Sequence, residues 1–562
     1  MWNSVKALAS TLLILGSPAV AQPTATSSSA AQAKAVDALL AKRHRADAPG
    51  CAIGVYRSGK ILHTGAFGMA NLEFGVPITP RAVFDIGSVS KQFTAASLVL
   101  LAQDGKLSLD DDVRKYLPEL PDYGKKISVR HLLNHTSGLR DYNRLLSMAG
   151  FNRDDVSTNE QAYALIIRQK GLNFEPGTRH LYSNTGHFLA SLIIEKVAGQ
   201  GLPIFAHERI FKPLGMGSTL FRDDHTLIVP QRAVGYSPRE NAGYQIDVSN
   251  WEQVGDGGLL STVEDFARWS ANLDSGAVGG KGLIDALHTR STLRDGSTIE
   301  YTIGLQHGAV RGLLFVEHSG GWGGYVSHFR RFPAAGLTVA ALCNDAAAPV
   351  LALVELVGDV YLGSPAADGV RQPVATPQPT VNLSNAQLDA WIGDYRDIEK
   401  GDLIKVERGD AVLLANGGGP TFTLRPADPS RFQILGGPPD AYAQFEVTDI
   451  GARTMHIFFG DKLFQTLQAA SKSPISTAAF ANHAGNYRCD ELDAVHRVEA
   501  DGEGLLVRLP RTDPVRFLPL ERNIFHGGPS VVLTFSGEVD GKSATFRIDT
   551  PRVRGVQCDR LN

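Results

Sequence analysis

The chain has 562 residues, 43% of them hydrophobic and 20% charged, with a formal net charge of -3. At roughly 100–200 residues per domain, that length implies two or three domains. The balanced charge gives no electrostatic case for nucleic acid or an anionic membrane surface as a partner.

The chain opens MWNSVKALASTLLILGSPAVAQ, with Lys6, a short apolar run and then Ala19-Val20-Ala21 before Gln22. A basic start, an apolar core too short to span a bilayer comfortably and small residues at the cut predict a signal peptide over 1–21, cleaved after Ala21. No later segment approaches ~18 consecutive apolar residues, so the mature protein is expected to be periplasmic or secreted, with no membrane span.

After a Ser/Ala-rich stretch, AQAKAVDALLAKRH has helical spacing, and CAIGVYRSGKILHTGAFG reads as two β-rich runs joined by a Ser58-Gly59 hairpin turn. From Ser88 to about Leu273, helical patterns and loops dominate. YTIGLQHGAVRGLLFVEHSGG and GLTVAALCND then return to strands, and APVLALVELVGDVYLG closes as a helix. Strands at both ends with helices between predict one antiparallel sheet built from the two ends of a domain over 33–363, with helical matter inserted.

Pro365, Pro373, Pro377 and Pro379 mark a stiff linker over 364–385. Beyond it, WIGDYRD (Trp391 to Asp397) returns as HAGNYRC (His483 to Cys489), each followed by short alternating runs. That predicts a duplicated all-β unit, with barrels over 386–470 and 479–562 separated by SKSPIST. The chain has four cysteines and no C-x-x-C. Cys489 and Cys558 lie near the two ends of the last unit, as a disulfide or as two buried thiols. Cys51 and Cys343 each sit in an apolar strand-like run and read as small core residues.

Ser88 and Lys91 are one turn apart and share a face of any helix starting at Ser88. The segment that follows, KQFTAASLVLLAQDG, is strongly apolar, so the lysine is carried inward, where it must be paired or lose basicity. Such a lysine can take a proton from a neighbouring hydroxyl, and the free N–H groups at the helix start suit an oxyanion. Tyr182-Ser183-Asn184 is a second element: a phenol that ionises more easily beside an ammonium, and an amide that can bond a substrate amide. His318-Ser319-Gly320-Gly321 is a third, whose glycines let a substrate backbone approach a strand edge. His131 and His135 are four apart but lack a suitably placed Glu, so no metal site is expected there. Gly255–Gly258 reads as a turn, Asp110 to Asp112 as a solvated helix start, and no Gly-x-Ser-x-Gly is present.

With Ser-x-x-Lys, Tyr-x-Asn and His-x-Gly in that order, and with FGMANLE, HLLNHTSGL, FEPGT, PLGM and GDGGLLSTVEDFARW around them, residues 33–363 resemble the active-site-serine penicillin-recognising enzymes. These include class C β-lactamases, D,D-peptidases, D-aminopeptidases and related esterases. The resemblance implies an α+β catalytic domain of the β-lactamase/transpeptidase kind followed by two antiparallel barrels. The histidine in place of Lys-Thr-Gly points to the D-aminopeptidase and esterase branches. It further implies Ser88 as nucleophile, Lys91 and Tyr182 as base and proton shuttle, and Asn184, Gly320 and Gly321 at the substrate. His318 would tune Tyr182 or bond the substrate, and the N–H groups of Ser88 and Gly321 would form the oxyanion hole.

In the D-aminopeptidase family a loop of the last barrel reaches the active site and favours a free amino end. Its equivalent here is expected between NIFHGG and VVLTF and is short, so that selectivity is not expected to carry over intact. The expected activity is an exported serine hydrolase acting through an acyl-enzyme on D-residue peptides or amides or on small esters, without cofactor or metal. The alternatives are a D,D-carboxypeptidase or weak β-lactamase, and an acylated sensor of cell-wall fragments or β-lactams without turnover. The only partner the sequence calls for is a small peptide, amide or ester substrate. A homodimer is compatible with the sequence and not required by it.

Overall fold

The computed structural model describes residues 29–363, 381–397, 402–417, 421–435, 441–449, 451–470, 477–528 and 531–561. The expected signal peptide over 1–21 and most of the expected linker over 364–385 lie outside the described residues.

Strands β1 (Cys51–Arg57) and β2 (Lys60–Phe67) form the expected hairpin. Ser58 and Gly59 both take positive φ (48° and 76°), as a two-residue turn matching the strand twist requires. β3 (Gln306–Val310), β4 (Leu313–Trp322), β5 (Tyr325–Phe332) and β6 (Leu337–Cys343) complete a six-stranded antiparallel sheet in the order β3-β4-β5-β6-β1-β2. The pairing of β1 with β6 joins the two ends of the domain, in the register Cys51↔Cys343 through Arg57↔Leu337. That register places two cysteines opposite each other, and they form a disulfide. The reading of Cys51 and Cys343 as separate core residues is corrected accordingly: they are buried, but as one cross-strand bridge. The second disulfide joins Cys489 to Cys558.

One face of the sheet packs against α1 (Ser29–Ala41) and the helix Val350–Leu362. The other packs against the helical insertion, whose centre is α2 (Lys91–Gln103). Every residue of α2 from Lys91 to Leu101 is buried, as expected of a helix enclosed on all sides. Gly105, at φ 71°, ends it. α3 (Tyr142–Met148) and α4 (Asn184–Ala198) flank α2 on the side of the site.

The duplicated unit forms two closed eight-stranded antiparallel barrels, from Gly393–Arg396 to Lys462–Ala469 and from Gly485–Cys489 to Val553–Arg560. The repeat persists in detail. Tyr395 and Tyr487 are fully buried at matching positions, and each hydroxyl donates to a carbonyl four residues back, at Trp391 (2.9 Å) and His483 (2.8 Å). The barrels differ in attachment. The first has its own apolar cluster around Phe432 and Phe445, whereas the core of the second is continuous with that of the helical insertion. A buried ion pair, Arg140 to Glu491 (2.5 Å), and a bond from His496 Nε2 to the Met148 carbonyl (2.9 Å) cross that junction. Among the described residues, no single helix is long and apolar enough to cross a membrane.

Candidate active site

A cleft of about 840 Å³ opens between β4, the start of α2, α3 and the loop before α4. Ser88 lies at its floor, in the tight turn Gly87–Ser90 that leads into α2. That turn presses against β4: at Gly87 (φ 50°) a Cβ would come within 2.6 Å of the Gly321 amide nitrogen, so the position demands glycine. Its backbone is held by Gly87 N–H to Asp85 Oδ1 (2.8 Å), Ser90 Oγ–H to the Gly87 carbonyl (2.5 Å) and Ser327 Oγ–H to the Ile86 carbonyl (2.7 Å).

Lys91 is 0% exposed, and its Nζ donates to Ser88 Oγ (2.9 Å), Asn184 Oδ1 (2.9 Å) and the Asp256 carbonyl (2.6 Å). Its three donors thus have three acceptors, one of them the hydroxyl to be activated. Burial lowers the ammonium to about 7, against the opposing pull of the Asp256 and Asp141 carboxylates. Asp256 is itself raised to about 6 by burial, while its carboxylate accepts the Tyr142 hydroxyl at 3.1 and 3.2 Å. The two groups shift toward their neutral forms together.

The Tyr182 phenol lines the same cleft as Ser88. Burial raises the phenol, with the Ser88 hydroxyl and the Arg552 guanidinium opposing. This corrects the expectation of an easily ionised phenol: at rest Tyr182 is neutral, and the group poised to accept a proton is Lys91. The Tyr182 ring sits 4.9 Å from Lys91 Nζ and 4.2 Å, centre to centre, from the ring of His135.

His318 lines the cleft from β4, its ring centre 6.1 Å from that of Tyr182. Its Nδ1 faces the Ser319 carbonyl at 2.6 Å, which fixes that nitrogen as the donor. Nε2 therefore accepts the Tyr301 hydroxyl at 2.8 Å. Burial, and then the neighbouring Lys91 charge, lower the imidazole to about 3, so it is neutral. Both ring nitrogens are occupied by protein, and neither reaches Tyr182. The structure thus brings Ser88, Lys91, Tyr182, Asn184, His318, Gly320 and Gly321 to one place.

Several residues there were not singled out from sequence. Asp256 lies in the stretch read as a turn. Asp141 caps α3 and accepts the Asn184 backbone N–H (2.8 Å). Tyr301 fixes His318, and His135 is a ring neighbour of Tyr182 rather than half of a metal pair. Arg552 belongs to the turn between the last two strands of the second barrel, and its guanidinium lies 4.8 Å from the Tyr182 ring centre. That turn brings a residue of the last barrel to the cleft. The segment between NIFHGG and VVLTF, residues 529–530, lies outside the described residues.

Residues 33–357, more than half of the chain, match the sequence profile of the Beta-lactamase family. A D-aminopeptidase of Brucella anthropi is 29% identical over 453 residues, covering 79% of this chain and 80% of its own. Among solved structures, an octameric penicillin-binding protein homologue from Pyrococcus abyssi aligns with a TM-score of 0.55 at 25% identity, covering 77% of this chain and 99% of that one. A D-stereospecific amidohydrolase from Streptomyces sp. aligns with a TM-score of 0.50 at 26% identity, covering 60% and 99%. The chain belongs to the Beta-lactamase family as a serine hydrolase of the penicillin-recognising type, with Ser88 bonded to a buried lysine and a phenol beside that lysine.

Proposed function

We propose that the protein hydrolyses D-residue peptides or amides, and small esters, through an acyl-enzyme on Ser88. The observation that carries this reading is the 2.9 Å contact between Ser88 Oγ and a fully buried lysine whose basicity burial has lowered. In its neutral form Lys91 takes the Ser88 proton as Oγ attacks the substrate carbonyl. The N–H groups of Ser88 and Gly321 receive the oxyanion, and loss of one such donor typically costs about 2.7–4 kcal/mol of barrier. Tyr182, a neutral phenol beside Lys91, gives its own proton to the leaving nitrogen or oxygen and regains one from the Lys91 ammonium. Water then enters by the reverse path and releases the acid. Asn184 Oδ1 accepts from Lys91, which leaves its amide N–H groups for the acyl part of the substrate. The D-residue preference is supported by the D-aminopeptidase and D-stereospecific amidohydrolase relatives.

Incubation with D-alanyl amides, D-alanyl-D-alanine peptides, nitrocefin and p-nitrophenyl esters, followed by mass spectrometry, tests the proposal. A Ser88 adduct with a product burst and steady release is expected, and Ser88→Ala should give neither. An adduct that is never released would point to a sensor instead, and the absence of any adduct would overturn the reading.

We further infer that the protein is exported. Two disulfides, Cys51–Cys343 and Cys489–Cys558, suit an oxidising compartment. N-terminal sequencing of the protein from its host should begin at Gln22; an intact Met1 start would refute export by this route.

A further inference from the structure

The charges of the cleft are unevenly satisfied. Each of its carboxylates is engaged: Asp85 by the Gly87 N–H, Asp141 by the N–H groups of Arg144 and Asn184, Asp256 by the Tyr142 hydroxyl, and Glu300 by Arg290 (2.9 Å). Two of its arginines are engaged as well, Arg153 by Asp247 and Arg222 by the carbonyls of His225 and Ser249. The other two, Arg144 and Arg552, make no side-chain hydrogen bond among the described residues. Arg552 pairs with Asp141 only at 4.0 Å, a long ion pair that leaves its N–H donors without a hydrogen bond. A planar guanidinium held at a cleft wall with its donors open is suited to a carboxylate.

Arg552 is held in position by its backbone. Its carbonyl accepts the Asp141 N–H (3.2 Å) and the Asn173 Nδ2 amide (2.9 Å), and its N–H donates to Thr550 Oγ1 (3.3 Å). The same Asp141 that receives this turn also holds the backbone of Asn184. Arg552 therefore stands on the Asn184 side of Ser88, where the acyl part of a substrate would lie, and an ammonium there would meet its charge.

We propose that Arg552, presented by the second barrel, makes this a site for substrates whose acyl part carries a carboxylate rather than a free ammonium. The inference rests on the acyl-enzyme reading above and narrows its substrate class. The carboxylate could sit on a dicarboxylic N-cap or on an acidic D-residue side chain, and both present the same group to the guanidinium.

The test compares kcat/KM for four p-nitroanilides: D-alanine with a free amine, acetyl-D-alanine, succinyl-D-alanine and acetyl-D-glutamate. The wild-type enzyme should favour one of the two carboxylate substrates over acetyl-D-alanine by roughly 10–100-fold, with the free amine last. Which of the two is favoured identifies the source. Arg552→Glu should reverse the ranking, and Arg552→Lys should keep its order at reduced contrast. A free-amine preference in the wild type, or a ranking unmoved by Arg552→Glu, overturns the assignment. Mass spectrometry after p-nitrophenyl acetate separates the two levels. A Ser88 adduct with no charge preference refutes Arg552 alone, whereas no adduct refutes the acyl-enzyme reading and this inference with it.

Discussion

The ascending limb of the pH–rate profile is set by whichever group removes the Ser88 proton, and the site offers two. Lys91 is lowered to about 7 by burial, whereas Tyr182 is raised above its ordinary value by the same cause. If Lys91 is the base, the free enzyme must lose its proton first, so kcat/KM rises with pH through about 7 and levels above it. Below that point it falls about tenfold per pH unit, to roughly one hundredth of the plateau at pH 5. Two variants test the attribution. Lys91→Arg keeps a charge that cannot be shed and should lower kcat/KM by about 10²–10⁴ with no limb near neutrality. Asp256→Asn removes the carboxylate that holds Lys91 up, so the limb should move to lower pH. The assay is hydrolysis of a p-nitrophenyl ester whose own ionisation is constant from pH 5 to 9. A profile flat across that range, a limb appearing only near the phenol range, or a limb moved to higher pH by Asp256→Asn would refute the reasoning.

Stability should report the same lysine. Its folded value lies below its ordinary 10.5, so the unfolded chain binds the extra proton between about 7 and 10.5. The wild type should therefore gain stability over Lys91→Met as pH rises across that window, in urea denaturation at fixed ionic strength. A constant difference would contradict it. Glu491→Ala should cost about 3–5 kcal/mol in the same assay, because it leaves the Arg140 guanidinium buried without its partner; a loss under about 1 kcal/mol would be evidence against a tight junction. Gly87→Ala should abolish Ser88 acylation, since its Cβ would have to displace the Gly321 amide; a normal burst with p-nitrophenyl acetate would show that the turn has room.

Where the signal was local, the sequence carried it. Ser88 and Lys91 are one turn apart, and the apolar run after them buries the lysine, so the contact follows from helix geometry alone. The hairpin at Ser58-Gly59 and the duplicated Tyr395 and Tyr487 were equally plain. What escaped has no local mark. Asp256 reaches Lys91 through a carbonyl oxygen, which any residue type could supply. Tyr301 and His318 meet only because a loop folds back over β4. Cys51 and Cys343 are 292 residues apart, and their pairing is fixed by the β1–β6 register, which apolar periodicity alone does not specify. Tyr182 is not easily ionised because the cost of burying a phenolate exceeds the help of a nearby ammonium.

The second barrel changes how catalysis and its surroundings divide. Two tandem barrels after a catalytic domain invite the view that both are appendages, removable together to see what the domain does alone. The packing argues otherwise for the second. Its core merges with that of the helical insertion, and Glu491 is the buried counter-ion of Arg140, the residue next to Asp141. Asp141 in turn holds both Asn184 and the Arg552 turn. Removing the second barrel would thus leave an unpaired charge in the interior and loosen the support of the acyl side at the same stroke. The first barrel has an apolar core of its own. The cleft is best understood as a joint product of residues 33–363 and the turn of the second barrel that carries Arg552.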